Sequence, residues 1–148
     1  MTGWRLGYIV VPHAYARAIE VLQQTIIISA NSFVQAAGLA ALTDRSVHAE
    51  LARMKAGFAA RRKIMLEGVR ALGLGVPAVP PTGAFYVLAD ARHVDADSMR
   101  LAARVLDETG VALTPGDDFG APGYLRFSYT ADLPQIREGL ERLQKVFA

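Results

Sequence analysis

A helical repeat of apolar residues runs through the middle of the chain and constrains its fold more than any other feature. Apolar side chains recur there every three or four residues, with charged residues between them, and they are Val47, Leu51, Met54, Phe58, Met65, Val69 and Leu72. That spacing aligns them on one stripe of a long amphipathic helix. Because an exposed apolar stripe is unfavourable in water, the helix must pack against other elements. Gly73 and Gly75 are expected to end it.

Strand patterns and helix patterns alternate after this long helix. Runs rich in aliphatic and aromatic residues predict strands at 84–89, 111–114 and 124–130. Asp95 or Asp97 can cap a helix between the first two runs, and Gly110 ends that helix. Asp132 can cap the last helix, with Gln135 in the capping-box position. This order of elements predicts an α/β chain.

The first 43 residues differ in composition from the rest of the chain. Residues 6–11 are typical of a short buried strand, and two helices follow, the second ending near Leu42. No charged residue occurs between Val21 and Thr43, so the second helix is apolar on nearly all sides. A helix of that kind is buried or lies at a subunit interface. We place a domain boundary near Thr43, where the uncharged segment meets the long helix.

Composition excludes several kinds of site. The 148 residues include no cysteine, which rules out disulfides, thiolate metal sites and a cysteine nucleophile and fits a cytoplasmic protein. The three histidines lie far apart without metal-ligand spacing, so we expect no metal site. The 16 arginine and lysine residues are spread along the chain and predict no nucleic-acid patch. The longest uncharged stretch contains several amide and hydroxyl side chains, so we expect no membrane span.

Two arginines stand in apolar surroundings. Arg5 is embedded in a run of glycine, aromatic and aliphatic residues, and Arg126 occupies the predicted strand YLRFSYT. Alternation places Arg126 on the face opposite Leu125 and Phe127. Each has an ordinary explanation, since Arg5 can pair with a nearby acid and Arg126 can be solvated. Each can also hold an anionic ligand, because a guanidinium binds a carboxylate or phosphate with two hydrogen bonds.

Several segments, in the same order along the chain, resemble the class I/II aminotransferases, the fold-type I enzymes that use pyridoxal 5'-phosphate. MTGWRLGY is similar to the segment that follows their cofactor lysine. NSFVQAAGLAAL is similar to the helix that comes next, and RRKIMLEGVRALG to their long connecting helix. PPTGAFYVLAD is similar to the start of a strand in the family, GVALTPGDDFG to a loop, and GYLRFSYT to a further strand. Together these similarities extend over essentially all 148 residues.

The resemblance implies the fold, the domains and the partners. The fold would be the C-terminal part of the aspartate-aminotransferase-like α/β fold. Residues 1–43 correspond to the end of the large cofactor-binding domain, which is incomplete, and residues 44–148 to the small C-terminal domain. The implied cofactor is pyridoxal 5'-phosphate, the substrates are an amino acid and a 2-oxo acid, and the full-length parent is implied to be a homodimer.

Two site residues carry over from the family by their position in these motifs. Arg5 matches the arginine that binds the cofactor phosphate, and Arg126 matches the arginine that binds the α-carboxylate of the substrate. A phosphate in a largely dry pocket needs a fixed positive partner. The α-carboxylate is common to all amino acids, so a bidentate contact recognises the class and orients the Cα–H bond. We therefore expect both guanidinium groups to face one cleft.

Other residues near these motifs have two explanations each. Asn31 and Ser32 lie where the family often places residues near the cofactor phosphate of the partner subunit, although helix capping explains them as well. Phe85 and Tyr86 can line the pocket, although core packing explains them better. The loop PGDDFGAPG lacks the lysine and hydroxyl of a phosphate-binding loop and is interpreted as a turn near the site.

The lysine that binds the cofactor covalently in this family has no counterpart in the sequence. Its position falls before Met1, and Lys55, Lys63 and Lys145 match no catalytic position. We therefore expect a truncated portion of an aminotransferase, with no catalytic residue of its own and no activity as an isolated chain. Two alternatives stay open: a lyase or synthase of the same fold, and a non-catalytic interaction module.

Overall fold

Five α-helices, three β-strands and a 3-10 turn make up the computed structural model, which describes residues 1–147. They are α1 (His13–Ile26), α2 (Ser32–Thr43), α3 (Ser46–Ala71), β1 (Tyr86–Asp90), α4 (Ser98–Thr109), β2 (Thr114–Pro115), the 3-10 turn (Gly116–Phe119), β3 (Tyr124–Ser128) and α5 (Leu133–Phe147). The chain divides within α3 into two compact units, Met1–Ala52 and Arg53–Ala148. The assignment of residues 1–43 and 44–148 to a large and a small domain stays a prediction.

The strands of the second unit form one antiparallel sheet in the order β1-β3-β2. Because β3 is central, Arg126 has a partner on each side, Leu88 on β1 and Thr114 on β2. Burial alternates along β3 as the sequence predicted, with Leu125 and Phe127 buried and Arg126 on the opposite face. One face of the sheet therefore belongs to the core, and the other is available for polar side chains.

The core of the second unit joins the buried face of the sheet to the helices. Its buried side chains are Met65, Leu66, Val69, Leu72, Leu74, Val87, Ala89, Ala91, Leu101, Ala102, Val105, Leu125, Phe127, Tyr129, Ile136 and Leu143. The long helix predicted from the apolar repeat is confirmed as α3, but its stripe is only partly buried. Leu51 and Met54 remain exposed, whereas Met65 and Val69 pack in the core. The apolar repeat predicted which residues share one stripe of α3. It did not predict how much of that stripe the neighbouring elements cover.

The predicted ends of the later helices are confirmed. The Asp97 carboxylate accepts a hydrogen bond from the Arg100 backbone N–H at 2.9 Å and caps α4. Gly110 follows α4 with a φ of 70°, a left-handed conformation that glycine adopts without strain. The Asp132 carboxylate accepts from the Gln135 N–H at 2.9 Å at the start of α5. These side chains satisfy backbone groups that have no partner inside the helix.

The strand predicted at residues 6–11 was wrong. The segment has no regular secondary structure, and Tyr8 and Val10 are 81% and 90% exposed. An extended segment becomes a strand only when a neighbouring strand accepts and donates its backbone hydrogen bonds. Among the described residues of the first unit, no such strand is present. The apolar run therefore lacks the partner that its composition requires.

The uncharged helix is confirmed as α2, but most of its apolar surface is exposed. Val34 and Gly38 are buried, whereas Phe33, Leu39 and Leu42 are 64%, 64% and 71% exposed. The sequence predicted burial or a subunit interface for this helix, and burial within the described chain covers only a narrow stripe. An apolar surface of this kind is typical of a site covered by another chain segment or subunit.

Two findings concern what the described residues lack. None of the helices within residues 1–147 has the length and hydropathy needed to cross a bilayer. No group of three or more histidine, aspartate or glutamate residues in that range could hold a metal ion.

Candidate functional site

The guanidinium of Arg126 lies on the outer face of the sheet in contact with two aromatic rings. Its central carbon is 4.3 Å from the ring centre of Tyr86 and 4.3 Å from the ring centre of Phe119. Its Nη2 donates a hydrogen bond to the Thr114 hydroxyl at 3.3 Å. Both distances to the rings are within the range of favourable cation–π contact. Arg126 is thus half-buried and held by its neighbours, which differs from the solvated surface arginine of the ordinary explanation.

The strand register brings Tyr86 and Thr114 to Arg126. Leu88 lies directly opposite Arg126, and Tyr86 lies two residues from Leu88 on the same face of β1. A ring at such a diagonal position can reach across to the neighbouring strand. Thr114 lies directly opposite Arg126 on the other side. The three side chains therefore meet because of the sheet order.

The 3-10 turn delivers Phe119 to the same place. Gly116 begins the turn, and a Cβ added there would lie 2.1 Å from the Ala121 carbonyl oxygen and 2.8 Å from the Tyr124 carbonyl oxygen. Only glycine fits without a shift of the backbone. Gly120 ends the turn with a φ of 68°, so both ends of the turn depend on glycine.

A buried serine anchors this turn to α4. The Ser98 hydroxyl donates to the Asp117 carboxylate and accepts from the Asp117 backbone N–H at 3.2 Å. Ser98 is fully buried at the start of α4. A buried hydroxyl whose hydrogen bonds are satisfied by a loop residue holds that loop in one conformation. The Asp117 carboxylate is thereby committed to Ser98.

Substituting Gly116 with alanine is expected to lower the free energy of unfolding by about 1–3 kcal/mol, because the new methyl group would overlap backbone oxygens. Chemical denaturation monitored by circular dichroism measures this change. The matched control is Gly139→Ala in α5, where an added Cβ meets no atom within 4 Å. That variant should be stabilised by up to about 1 kcal/mol through helix propensity. Equal stability of the two variants would contradict the packing argument.

The acids near the sheet are paired with other arginines. Hydrogen bonds from Arg92 lower the pKa of the Asp90 carboxyl to about 2. Hydrogen bonds from Arg100 likewise lower the pKa of the Asp95 carboxyl. Among the described residues of the second unit, no carboxylate lies within ion-pair distance of Arg126. The half-buried charge of Arg126 is therefore balanced only by aromatic rings and a hydroxyl.

Arg5 lines an open pocket of about 410 Å³ in the first unit. The other lining residues are Gly3, Trp4, Asn31, Phe33 and Val34. Its backbone has a φ of 56°, a left-handed conformation that is uncommon for a residue with a side chain. Its N–H donates to the Thr2 carbonyl at 3.1 Å, which closes a tight turn.

The charge of Arg5 has no acidic partner among the described residues of the first unit. The ion pair seen there joins Arg17 and Glu20. The ordinary explanation, an ion pair with a nearby acid, is therefore not observed in this unit. Arg5 and Asn31 line the same pocket, and guanidinium and amide groups suit the oxygens of a phosphate, so the residues present fit a phosphorylated cofactor. Residues 1–52 contain no lysine that could bind it covalently.

The sequence model for "Aminotransferase class I and II" matches residues 1–143. The chain belongs to this aminotransferase family. A curated relative, the aspartate/prephenate aminotransferase of Thermus thermophilus, is 40% identical over 147 residues. That alignment covers 99% of this chain and 37% of the relative, so the chain spans little more than a third of the length of that aminotransferase.

Solved aminotransferase structures match the fold. The aspartate aminotransferase from Thermus thermophilus with maleate superimposes with a TM-score of 0.84 at 39% identity, covering 99% of this chain and 38% of that chain. The aromatic aminotransferase from Pyrococcus horikoshii OT3 gives 0.86 at 31% identity, covering 99% and 39%. The predicted fold, the C-terminal part of the aspartate-aminotransferase-like fold, is confirmed.

The sequence identified Arg126 and Arg5 as the residues of interest, and their roles in binding stay predictions, as does the common cleft. Core packing explains the position of Phe85, which stacks on Phe58 with ring centres 6.1 Å apart. Core packing does not explain the position of Tyr86, whose ring contacts Arg126 instead. Sequence reasoning missed Thr114 and Phe119. The aromatic residue inside the glycine-rich PGDDFG turn was the available signal.

Asn31 precedes α2 at the capping position, but its side chain makes no capping hydrogen bond. The first backbone hydrogen bond of α2 runs from the Gln35 N–H to the Asn31 carbonyl at 3.0 Å. Asn31 also lines the Arg5 pocket. The capping explanation thus accounts for the position of Asn31 and not for its side chain.

Proposed function

We propose that this chain is the C-terminal portion of a pyridoxal 5'-phosphate-dependent aminotransferase that transfers an amino group between an amino acid and a 2-oxo acid. The observation that carries the proposal is the state of Arg126, a half-buried arginine without an acidic partner among the described residues of its unit. Such a charge is costly unless an anion completes it. The α-carboxylate, which amino acids and 2-oxo acids share, is the anion that the substrates of this family carry.

Arg126 and Arg5 take different roles in this proposal. Arg126 binds the α-carboxylate edge-on, with two parallel hydrogen bonds that fix the pose of the substrate. Arg5, with its pocket, binds the phosphate of the cofactor. Pyridoxal 5'-phosphate, when bound, supplies the electron sink that makes the Cα–H bond acidic. The full-length protein is proposed to be a homodimer, and the exposed apolar surface of α2 is consistent with an interface.

The isolated chain is proposed to be inactive. Lys55, Lys63 and Lys145 lie on α3 and α5, and none of them matches the cofactor-binding lysine of the family motif. Without that lysine, no side chain is placed to bind the cofactor covalently and move the proton of the substrate. The purified chain mixed with pyridoxal 5'-phosphate should therefore retain no visible cofactor absorbance after dialysis. A stable absorbance band would overturn the proposed inactivity.

The proposed reaction is tested on the full-length protein loaded with pyridoxal 5'-phosphate. It is incubated with single amino acids and 2-oxoglutarate, and mass spectrometry follows both products. A new amino acid together with a new 2-oxo acid supports transamination. An elimination product without a new amino acid identifies a lyase of the same fold instead. No turnover with any common amino acid would argue against both enzymatic functions.

Replacing Arg5 with glutamine in the full-length protein is expected to weaken pyridoxal 5'-phosphate binding by about 10- to 100-fold. This range corresponds to the loss of a hydrogen bond to a charged group, about 1.5–3 kcal/mol. Equilibrium dialysis measures the Kd of the cofactor. The control is Arg17→Gln, which removes an exposed arginine from the same unit and should leave the Kd unchanged. An unchanged Kd in Arg5→Gln would remove Arg5 from the phosphate site.

A further inference from the structure

Two rings reach Arg126 from opposite sides of the central strand. Tyr86 belongs to β1, and Phe119 belongs to the turn that follows β2, while β1 and β2 flank β3. Each ring centre is 4.3 Å from the guanidinium carbon. The guanidinium carbon thus lies over two aromatic rings that come from the two sides of the central strand.

We infer that Tyr86, Phe119 and Thr114 are positioning residues that hold Arg126 in the orientation for a carboxylate, an inference that rests on the carboxylate role proposed for Arg126. A guanidinium carries five N–H donors in one plane. Thr114 takes one donor of Nη2, and the two rings each contact the guanidinium. The remaining donors in that plane can bind a carboxylate with two parallel hydrogen bonds.

This arrangement prepares Arg126 before the substrate arrives. An arginine side chain has many rotamers, and ordering it at the moment of binding weakens affinity. The rings and Thr114 restrict those rotamers in the unbound protein. The aromatic faces also supply partial negative charge without offering a competing carboxylate. The positive charge is stabilised and stays available for a ligand.

The location of Phe119 supports a role beyond packing. Its side chain is 53% exposed, so burial in the core does not explain why a large aromatic residue stands there. The turn that carries it is held by Gly116 and by the hydrogen bonds between Ser98 and Asp117. The turn therefore holds the exposed Phe119 ring in contact with the guanidinium of Arg126.

A second arginine–tyrosine pair in the same unit shows the contrast. The guanidinium carbon of Arg92 is 5.2 Å from the ring centre of Tyr124. Arg92 also binds the Asp90 carboxylate through two nitrogens, Nε at 2.9 Å and Nη2 at 2.5 Å. Its ligand site is therefore already filled by a protein carboxylate. Arg126 has the aromatic contacts and lacks the acid, which is the arrangement expected of a receptor for an external carboxylate.

The test compares maleate binding by variants of the full-length protein loaded with pyridoxal 5'-phosphate, using calorimetry. Tyr86→Leu and Phe119→Leu are each expected to raise the Kd of maleate by about 5- to 30-fold, the range of a desolvated cation–π contact. Thr114→Val should raise it less, since it removes one neutral hydrogen bond. Tyr86→Phe keeps the aromatic face and should restore binding close to the native Kd. Tyr124→Leu is the matched control and should leave the Kd unchanged.

Kinetics add a readout that a loss of folding would not produce. KM for the amino acid should rise in the leucine variants with a smaller change in kcat, because the carboxylate contact exists in the ground state and in the transition state. If Tyr86→Leu does not fold, Phe119→Leu decides the question, since that ring is largely exposed. Native Kd values in both leucine variants, beside a raised Kd in Arg126→Gln, would overturn the positioning role alone. A native Kd in Arg126→Gln would overturn the carboxylate role as well.

Discussion

Replacing Arg126 with glutamine in the full-length protein is expected to lower kcat/KM for amino-acid substrates by about 10²- to 10³-fold. Truncating one partner of a desolvated charge pair costs about 2–5 kcal/mol, and each 1.4 kcal/mol is a factor of ten. The glutamine keeps a hydrogen-bond donor but loses both the charge and the bidentate geometry. Steady-state assays with a single amino acid and 2-oxoglutarate measure the change.

The matched control for this prediction is Arg92→Gln. Arg92 also stacks on a tyrosine in the second unit, but its charge is paired with Asp90. This substitution should leave kcat/KM close to the native value, although it removes the hydrogen bonds that lower the pKa of Asp90. A similar loss of activity in both variants would indicate a general effect of charge on the sheet and contradict a specific role for Arg126.

Replacing Phe127 with alanine is expected to destabilise the second unit by about 3–5 kcal/mol, the range measured for large aromatic residues removed from cores. Phe127 is 1% exposed on the central strand and belongs to the buried core, so its removal leaves a cavity. Urea unfolding monitored by circular dichroism gives the change. Because the stability of a domain is itself only about 5–15 kcal/mol, this variant should approach the limit of folding.

The control for the core prediction is Leu106→Ala on α4. Leu106 is 48% exposed, so its removal creates no closed cavity and should cost less than about 1 kcal/mol. Phe127 and Arg126 are adjacent on β3 and point to opposite faces. The two principal predictions can therefore be told apart, since Phe127→Ala is expected to change folding and Arg126→Gln is expected to change substrate binding in a folded protein.

Local patterns predicted most of the second unit. The caps at Asp97 and Asp132 and the stop at Gly110 depend on hydrogen bonds and backbone angles within a few residues, so the sequence specifies them directly. The faces of β3 follow from strict alternation. The failure at residues 6–11 has the opposite cause, because a strand requires a partner that an apolar run cannot supply by itself.

The same reasoning from the sequence identified only part of the candidate site. Arg126 was identifiable because a charge in an apolar strand needs an explanation, and the family motif supplied one. Its neighbours were not identifiable, since Tyr86 and Thr114 reach it through the register of two different strands. Phe119 depends on a turn whose conformation is set by the close approach of Gly116 to a carbonyl oxygen of another segment.

By itself, the sequence determined the helices, their ends, the two faces of the central strand and the family, because each of these is encoded in neighbouring residues or in the order of motifs. Only the tertiary structure decided what surrounds the guanidinium of Arg126. The strand order β1-β3-β2 brings together side chains that are distant along the chain. Such contacts arise from the packing of whole elements, and no local period or spacing records them.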